Sequence, residues 1–194
     1  MGILTVFENI SLDGYFSGVS GDFTWAQSSS HDPEWDQFVA GNASGGGILL
    51  FGRITYQIME SYWPSPVAAK RDPVVAERIN TRPKIVFSKT LDNVSWSNTQ
   101  LMKADLEAEI CKLKAEPDLC ITVLGSGSIA LQLTQAGLVD EYHFVVNPVI
   151  LGSGRTLFGS IEQTMRLSLK TSRMFENGNV YLTYSTSSLK ESGS

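Results

Sequence analysis

The sequence predicts an α/β fold: a mixed central sheet, mostly parallel, with antiparallel strands at its C-terminal end and helices flanking it. Three observations carry this. Strand-like apolar runs alternate with helix-like stretches through the first two thirds of the chain, as a parallel sheet requires. The last third then drops the helices, and "EYHFVVNPVIL", "LSLKTSRMF" and "VYLTYST" follow one another through loops alone. Finally, three strand-like runs end in glycine, serine or lysine, and two of these feed straight into a helix, the place where open α/β sheets bind ligands.

The elements follow in order. "ILTVFEN" (3–9) reads as a buried strand and "SLDGYFSGVSGD" as a glycine-punctuated loop. In "HDPEWDQFVAG", Asp32 caps a helix, Pro33 takes its first position, and Trp35, Phe38 and Val39 share one face. "GGGILLFG" is the second strand, and a helix runs from near Arg53 until just before Pro64. "DPVVAERIN" (72–80) repeats the Asp-Pro start, and "KIVFSKT" (84–90) is the third strand. In "DLEAEICKLKAE", Leu106, Ile110 and Leu113 recur at helical spacing until Pro117 stops the helix. "CITVLGSGSIALQLTQAGL" is a strand, a glycine turn and a helix closed by Gly137. One domain over 1–185 and a flexible tail over 186–194 account for the chain.

Composition narrows the function. With 42% hydrophobic residues and 17 glycines among 194, the chain has enough apolar material for a packed core. A net charge of −5 argues against sequence-independent nucleic-acid binding, so any anion site is a local pocket. The opening apolar run is interrupted by Glu8 and is too short for a secretory signal. Gly2 lacks the Ser or Thr that myristoylation requires where Val6 stands. No apolar stretch approaches the roughly 20 residues of a membrane helix. Cys111 and Cys120 fit neither a disulfide framework nor a zinc pattern, so we expect no metal and a reducing, cytoplasmic setting.

The candidate chemistry sits at the three strand ends. Gly52-Arg53-Ile54-Thr55 and "GSGSIA" (125–130) lie at strand-to-helix turns, and Ser88-Lys89-Thr90 follows a strand. Helix N-termini offer unpaired N–H groups to an anion, and three such corners suit one dinucleotide. Taken singly, Gly-Arg is commonly a turn with a solvated arginine, and Ser-Lys-Thr an ordinary polar loop. "GSGSIA" is more specific, since Gly-x-Gly-x-x-Ala after a strand matches the dinucleotide fingerprint. It falls in the last third of the chain, and no acidic residue follows at the next strand end, "VNPVIL". The phosphate logic therefore holds without Rossmann topology.

These stretches, with "SLDG" (11–14), "GRITYQ" (52–57), "KIVFS" (84–88), "VLGSGSIALQLTQAGLVDEYHFVVNPVILGSGRTLF" (123–158) and "NVYLTY", resemble the dihydrofolate reductase-like superfamily. Within it the resemblance is greatest to the reductase domain at the C-terminus of bacterial riboflavin-biosynthesis deaminase-reductases, over about residues 2–185. It implies the three-layer dihydrofolate reductase-like fold and an NADPH-dependent reductase akin to 5-amino-6-(5-phosphoribosylamino)uracil reductase. It also implies roles. Gly52 and Arg53 form the phosphate corner, with Arg53 on the 2′-phosphate of NADPH and Thr55 on the pyrophosphate. Ser88 and Lys89 close the 2′-phosphate pocket. The turn from Gly125 through Ser126, Gly127 and Ser128 to Ile129 meets the pyrophosphate and nicotinamide side. After "SLDG" the chain departs from the family: "YFSGVSGDFTWAQ" lacks the Ser-Gly-Glu-Ser-like segment, with Trp25 in place of the family's substrate tryptophan. The resemblance carries the fold and cofactor, and not the substrate.

Hydride transfer needs a dry pocket and a proton source. Asp13 is the candidate catalytic acid at the pocket mouth, although an aspartate before Gly14 is also a common turn former. Trp25, Trp35, Tyr62 and Trp63 are candidate walls or plain core. Asp36 lies on the first long helix, where folate reductases place their substrate-binding acid. His31 and His143 are isolated in sequence and carry no catalytic expectation. The resulting expectation is an NADPH-dependent reductase of a small heterocycle, carbonyl or imine. The alternatives are dihydrofolate reductase activity, which requires Asp36 to be buried, and a nucleotide-binding module without catalysis. The family resemblance implies pairing through late strands, and "EYHFVVNPVIL" and "VYLTYST" as apolar edges would favour a homodimer. Last, Gly127→Ala is expected to cost cofactor affinity with little loss of apo stability.

Overall fold

The computed structural model describes residues 1–26, 32–43, 46–162 and 164–186. Its centre is an eight-stranded sheet in the order β5-β4-β3-β6-β1-β7-β10-β9. These strands are β1 (Ile3–Ser11), β3 (Ile48–Gly52), β4 (Lys84–Phe87), β5 (Thr99–Met102), β6 (Cys120–Leu124), β7 (Glu141–Asn147), β9 (Ser168–Met174) and β10 (Val180–Ser185). A two-stranded ribbon pairs β2 (Tyr15–Ser17) with β8 (Arg155–Thr156). The helices are α1 (Pro33–Ala43), α2 (Arg53–Tyr62), α3 (Pro66–Arg71), α4 (Pro73–Thr81), α5 (Leu106–Ala115) and α6 (Gly127–Gln135).

The sheet is parallel from β5 through β7, and β10 is the reversed strand, set between β7 and β9. The mixed sheet expected from the sequence is thus present, with one adjustment. β7 and β10 are interior strands rather than edges, and the exposed edge on that side is β9. Every β9 residue after Ser168 is exposed, and Leu169 and Met174 are among its side chains.

Period-2 alternation places a core on each face of the sheet. Leu4, Val6, Leu50, Ile121 and Val123 pack with Leu106 and Ile110 of α5 and Ile129 and Leu133 of α6. On the other face Leu49, Phe51 and Val86 pack with Tyr56 of α2, Val75 and Ile79 of α4, and the α1 residues Val39, Ala40 and Ala43. This is the three-layer arrangement the apolar pattern requires.

Helix starts vary with local chemistry. Asp32 caps α1 as expected, its Oδ1 accepting from the N–H groups of Glu34 and Trp35, each at 3.0 Å. Its Oδ2 accepts from Asn177 N–H at 3.1 Å and so ties α1 to the β9–β10 turn. Asp72 repeats the Asp-Pro sequence but makes no side-chain cap; its Oδ2 receives the Tyr62 hydroxyl at 3.5 Å instead. At the far end of α4 the buried Lys84 ammonium donates to the carbonyls of Ile79, Asn80 and Arg82 at 2.9, 3.0 and 2.7 Å. A cation at a helix C-terminus satisfies acceptors that have no intrahelical donor.

One offset in strand length matters for the site. β6 follows β1 only to the Phe7–Leu124 pair and then turns away, whereas β1 continues against β7 to Ser11–Asn147. The β6 side of β1 is therefore open beyond Phe7, beside the glycine turn.

Candidate functional site

The three strand ends expected to act together do meet. β4, β3 and β6 are neighbours and parallel, so their C-terminal ends lie on one edge, across two strand spacings or about 10 Å. Gly52 stands opposite Phe87, which puts Arg53 and Ser88 side by side just past the sheet.

The first and third corners are joined directly. Gly52 N–H donates to Ser126 Oγ at 2.8 Å in a buried hydrogen bond. Ser126 adopts left-handed backbone (φ 66°), as does Gly125 before it (φ 60°). Left-handed backbone in a non-glycine residue costs energy and persists where surrounding contacts fix it; here the Gly52 bond does so. A Cβ on Gly125 would lie 3.1 Å from the Thr55 methyl. Neither α2 nor α6 has a side chain capping its N-terminus, so their first-turn N–H groups have no acceptor from that source. Two uncapped helix starts locked together, with the exposed Arg53 at the head of one, form a place for an anion. Among the described residues Arg53 hydrogen-bonds Gln57 Oε1, at 3.2 Å along its own helix. The residues present therefore fit a phosphate-bearing cofactor.

The corner residues differ in what they can offer. Ser128 is exposed on the first turn of α6. Ile129 is a packing residue, buried in the core with its N–H given to Ser126 C=O at 2.9 Å. Ser88 Oγ accepts from Leu91 N–H at 3.0 Å and shapes its own turn, with Lys89 exposed beside it. Gly127 is not simply a place for close backbone approach. A Cβ there would fall 2.4 Å from the Phe16 ring, so Gly127→Ala requires that ring or α6 to shift.

On the substrate side the structure revises the sequence reading. Asp13 is a clamp: its carboxylate accepts from Ser11 Oγ at 2.7 Å and from the N–H groups of Leu151 and Gly152 at 3.1 and 2.7 Å. The Ser11 hydrogen bond, with the two N–H groups, lowers its pKa and suits it poorly to donate a proton. Asp36 is exposed on α1, so the buried acid that folate reduction requires is not supplied by it. Trp63 lies at the far end of α2, about 15 Å along the axis from Arg53, packed against the core with its indole N–H on Met59 Sδ. Trp25 sits in a short 3₁₀ turn, its indole N–H on Asp22 C=O at 3.1 Å. Trp35 packs edge-on to Phe175. His31 and nearly all of the expected tail fall outside the described residues. Among the described residues no group of three His, Cys, Asp or Glu is placed to hold a metal, and no helix is long and apolar enough to cross a membrane.

Two features escaped the sequence reading. Glu8 is buried on β1, with no hydrogen-bond partner for Oε2 among the described residues; burial pushes its pKa up to about 8. Its apolar surroundings follow from the strand pattern, since it shares a face with Leu4 and Val6, and that alternation was the available signal. His143, isolated in sequence, is held between Glu141 and Tyr181. Its Nε2 is 3.0 Å from Glu141 Oε2 and its Nδ1 is 2.8 Å from the Tyr181 hydroxyl. Lys170 in turn holds Glu141 Oε1 at 2.7 Å. Tyr181 packs on Phe38 of α1 and near Phe7, with ring centroids 4.7 and 6.5 Å apart.

Comparison with known proteins bears on this arrangement. A family model described as the RibD C-terminal domain matches residues 3–181. Two Bacillus subtilis proteins are similar along most of their length: uncharacterized protein YyaP, 26% identical over 90% of both chains, and uncharacterized protein YwjB, 24% identical over 86% of this chain and 88% of its own. Among solved structures, a putative riboflavin biosynthesis protein from Shewanella sp. PV-4 superposes with a TM-score of 0.75 at 23% identity, covering 94% of this chain and 98% of its own. A pyrimidine reductase-like protein from Corynebacterium diphtheriae gives 0.58 at 18% identity, over 94% and 91%.

Proposed function

The chain belongs to the RibD C-terminal domain family, with the dihydrofolate reductase-like fold, and on that premise we propose that it is an NADPH-dependent reductase of a small heterocycle, carbonyl or imine. The observation that supports this most is the Gly52–Ser126 lock, which sets two uncapped helix N-termini beside an exposed arginine. A reduced nicotinamide, when bound, supplies the hydride. Arg53 and the first-turn N–H groups of α2 hold phosphate charge, and Ser88 and Lys89 flank the same corner. The α6 turn presents N–H groups at Gly127 and Ser128. Phe7, Phe38 and Tyr181 pack together beneath α1, an apolar surface that would keep water from a reacting bond set against it.

The two cysteines are exposed free thiols, in keeping with a reducing, cytoplasmic setting. A homodimer is part of the same reading, built on the exposed β9 edge rather than on β7 or β10.

Titration of NADPH and NADH by fluorescence, followed by cofactor oxidation with a panel of small carbonyl compounds, cyclic imines and aminopyrimidines, tests the proposal. NADPH binding with turnover of a panel member is the expected result. Binding without turnover would leave a nucleotide-binding module, and no binding would sink the cofactor assignment.

A further inference from the structure

The Glu141–His143–Tyr181 chain lies on the sheet face under α1, and its height along the strands is set by register. His143 stands opposite Phe7 across the β7–β1 pair, and Phe7 stands opposite Leu124, the last residue of β6. Phe7 C=O accepts from Gly125 N–H at 3.2 Å. The imidazole is therefore two strands, about 10 Å, from the glycine turn and level with it. Tyr181 sits opposite Val145, slightly nearer the C-terminal edge of the sheet, against Phe38.

The hydrogen-bond roles follow from chemistry. Glu141 is held ionised, chiefly by its hydrogen bond from Lys170, and an ionised carboxylate only accepts. Nε2 of His143 therefore carries a proton whether the ring is neutral or charged. When the ring is neutral, Nδ1 is bare and the Tyr181 hydroxyl must donate to it. When the ring is an imidazolium, Nδ1–H donates to the Tyr181 oxygen, and the hydroxyl proton is free to point elsewhere.

We propose that Tyr181 is the proton donor of the reductase site, with His143 as the positioning residue that frees and replenishes its proton and Glu141 as the group that orients His143. The proposal rests on the reductase reading given above. Hydride from a reduced nicotinamide adds to the carbon of a C=N or C=O bond, and the π electron pair moves to nitrogen or oxygen. The Tyr181 O–H bond breaks as that atom takes the proton. The Tyr181 oxygen takes the Nδ1 proton of the imidazolium, leaving neutral His143 with Nε2–H on Glu141. Nδ1 regains a proton from solvent after product leaves. Tyr181 itself stays protonated throughout the useful pH range, since burial and then the Glu141 charge push its pKa up to about 12.

The charges facing this chain are few and named. Glu141 and Lys170 lie at its lower end, and the Arg173–Glu34 pair (2.5 Å) bridges β9 and α1 beside Tyr181. β1 presents Phe7 and Thr5 on this face, and Glu8 lies on the other.

Two measurements decide the matter. The chain has two histidines, so His31→Gln leaves His143 as the single imidazole. Nitrogen-15 imidazole shifts of the cofactor-free protein should report Nε2–H in the neutral ring and an Nδ1 shift that Tyr181→Phe moves. For turnover, the probes are benzaldehyde, 1-pyrroline and an N-ribosylated diaminouracil, with NADPH oxidation followed by absorbance. Tyr181→Phe should lower kcat about 100-fold with NADPH affinity within about twofold, and His143→Gln should lower kcat with NADPH affinity likewise retained. Tyr142→Phe is the control: its hydroxyl bonds Thr134 on the opposite face, and its kcat should be unchanged. Wild-type oxidation with Tyr181→Phe equally fast would overturn the relay alone. A neutral ring protonated on Nδ1 would also overturn it, whatever the kinetics. Failure of the wild type to oxidise NADPH with any probe would sink the reductase reading and the relay together.

Discussion

Gly52 and Ser126 lie 74 residues apart, yet the N–H of the first donates to the hydroxyl of the second at 2.8 Å inside the protein. One bond thus couples two strand ends, fixes a left-handed serine and aligns two helix starts. Ser126→Ala leaves the Gly52 N–H buried without an acceptor, which costs about 1–3 kcal/mol. We expect that loss in a denaturant titration, together with weaker NADPH binding. Ser126→Gly tests the backbone separately, because it removes the hydroxyl while relaxing the left-handed strain. If Ser126→Ala unfolds at the wild-type midpoint, the bond does not hold the corner.

On the proposed reading, Arg53 distinguishes NADPH from NADH. Charge-assisted hydrogen bonds contribute about 1.5–3 kcal/mol, or roughly 10- to 100-fold in affinity. NADPH should bind more tightly than NADH, and Arg53→Ala should erase most of the difference while leaving NADH affinity nearly unchanged. Calorimetry with both cofactors measures this. Equal affinities in the wild type would remove Arg53 from the role.

Glu8 makes stability depend on pH. Its folded pKa of about 8 lies above the ordinary value of 4.5, so the native state binds more protons than the unfolded chain between those values. Stability is complete below pH 4.5 and declines as pH rises through about 8, by up to about 5 kcal/mol. Glu8→Gln should flatten that decline and melt higher than wild type at pH 8. Parallel stability–pH curves for the two proteins would show that Glu8 is not the titrating group.

Gly127→Ala now carries a different expectation from the one its sequence context suggested. The added methyl would meet the Phe16 ring at 2.4 Å, so the ring or α6 must shift. Overpacking of this kind costs about 1–3 kcal/mol, visible as a lower apo melting temperature. Phe16→Leu should restore part of it in the double variant, because the two sites touch. Additive losses would place the strain elsewhere.

Assembly is checked at the β9 edge. Leu169 and Met174 are 56% and 80% exposed on a seven-residue edge strand, a surface that invites pairing with another copy. Sedimentation at micromolar concentration should give a dimer, and Leu169→Lys should weaken it. A single 21.2 kDa species would refute the dimer.

By itself, the sequence determined the elements that repeat a local period: the parallel strands, the capped start of α1, α5 with its Leu106–Ile110 stripe, and the turn at 125–128. These are legible because strand and helix periodicity, caps and glycine turns act between near neighbours. It also marked the three corners, since a strand end followed by glycine or serine is itself a local pattern. Tertiary structure decided what those corners touch. The order β4-β3-β6 brings them to one edge, and no local rule states that order. Asp13 reads as a free loop acid until Leu151 and Gly152 close on it from the far end of the chain. His143 reads as isolated until β10 folds back against β7 and sets Tyr181 beside it. A short edge strand such as Thr99–Met102, and a hydrogen-bonded chain assembled from β7, β9 and β10, owe their existence to register between distant segments. Register is set by packing across the whole sheet, a long-range property that no window of adjacent residues contains.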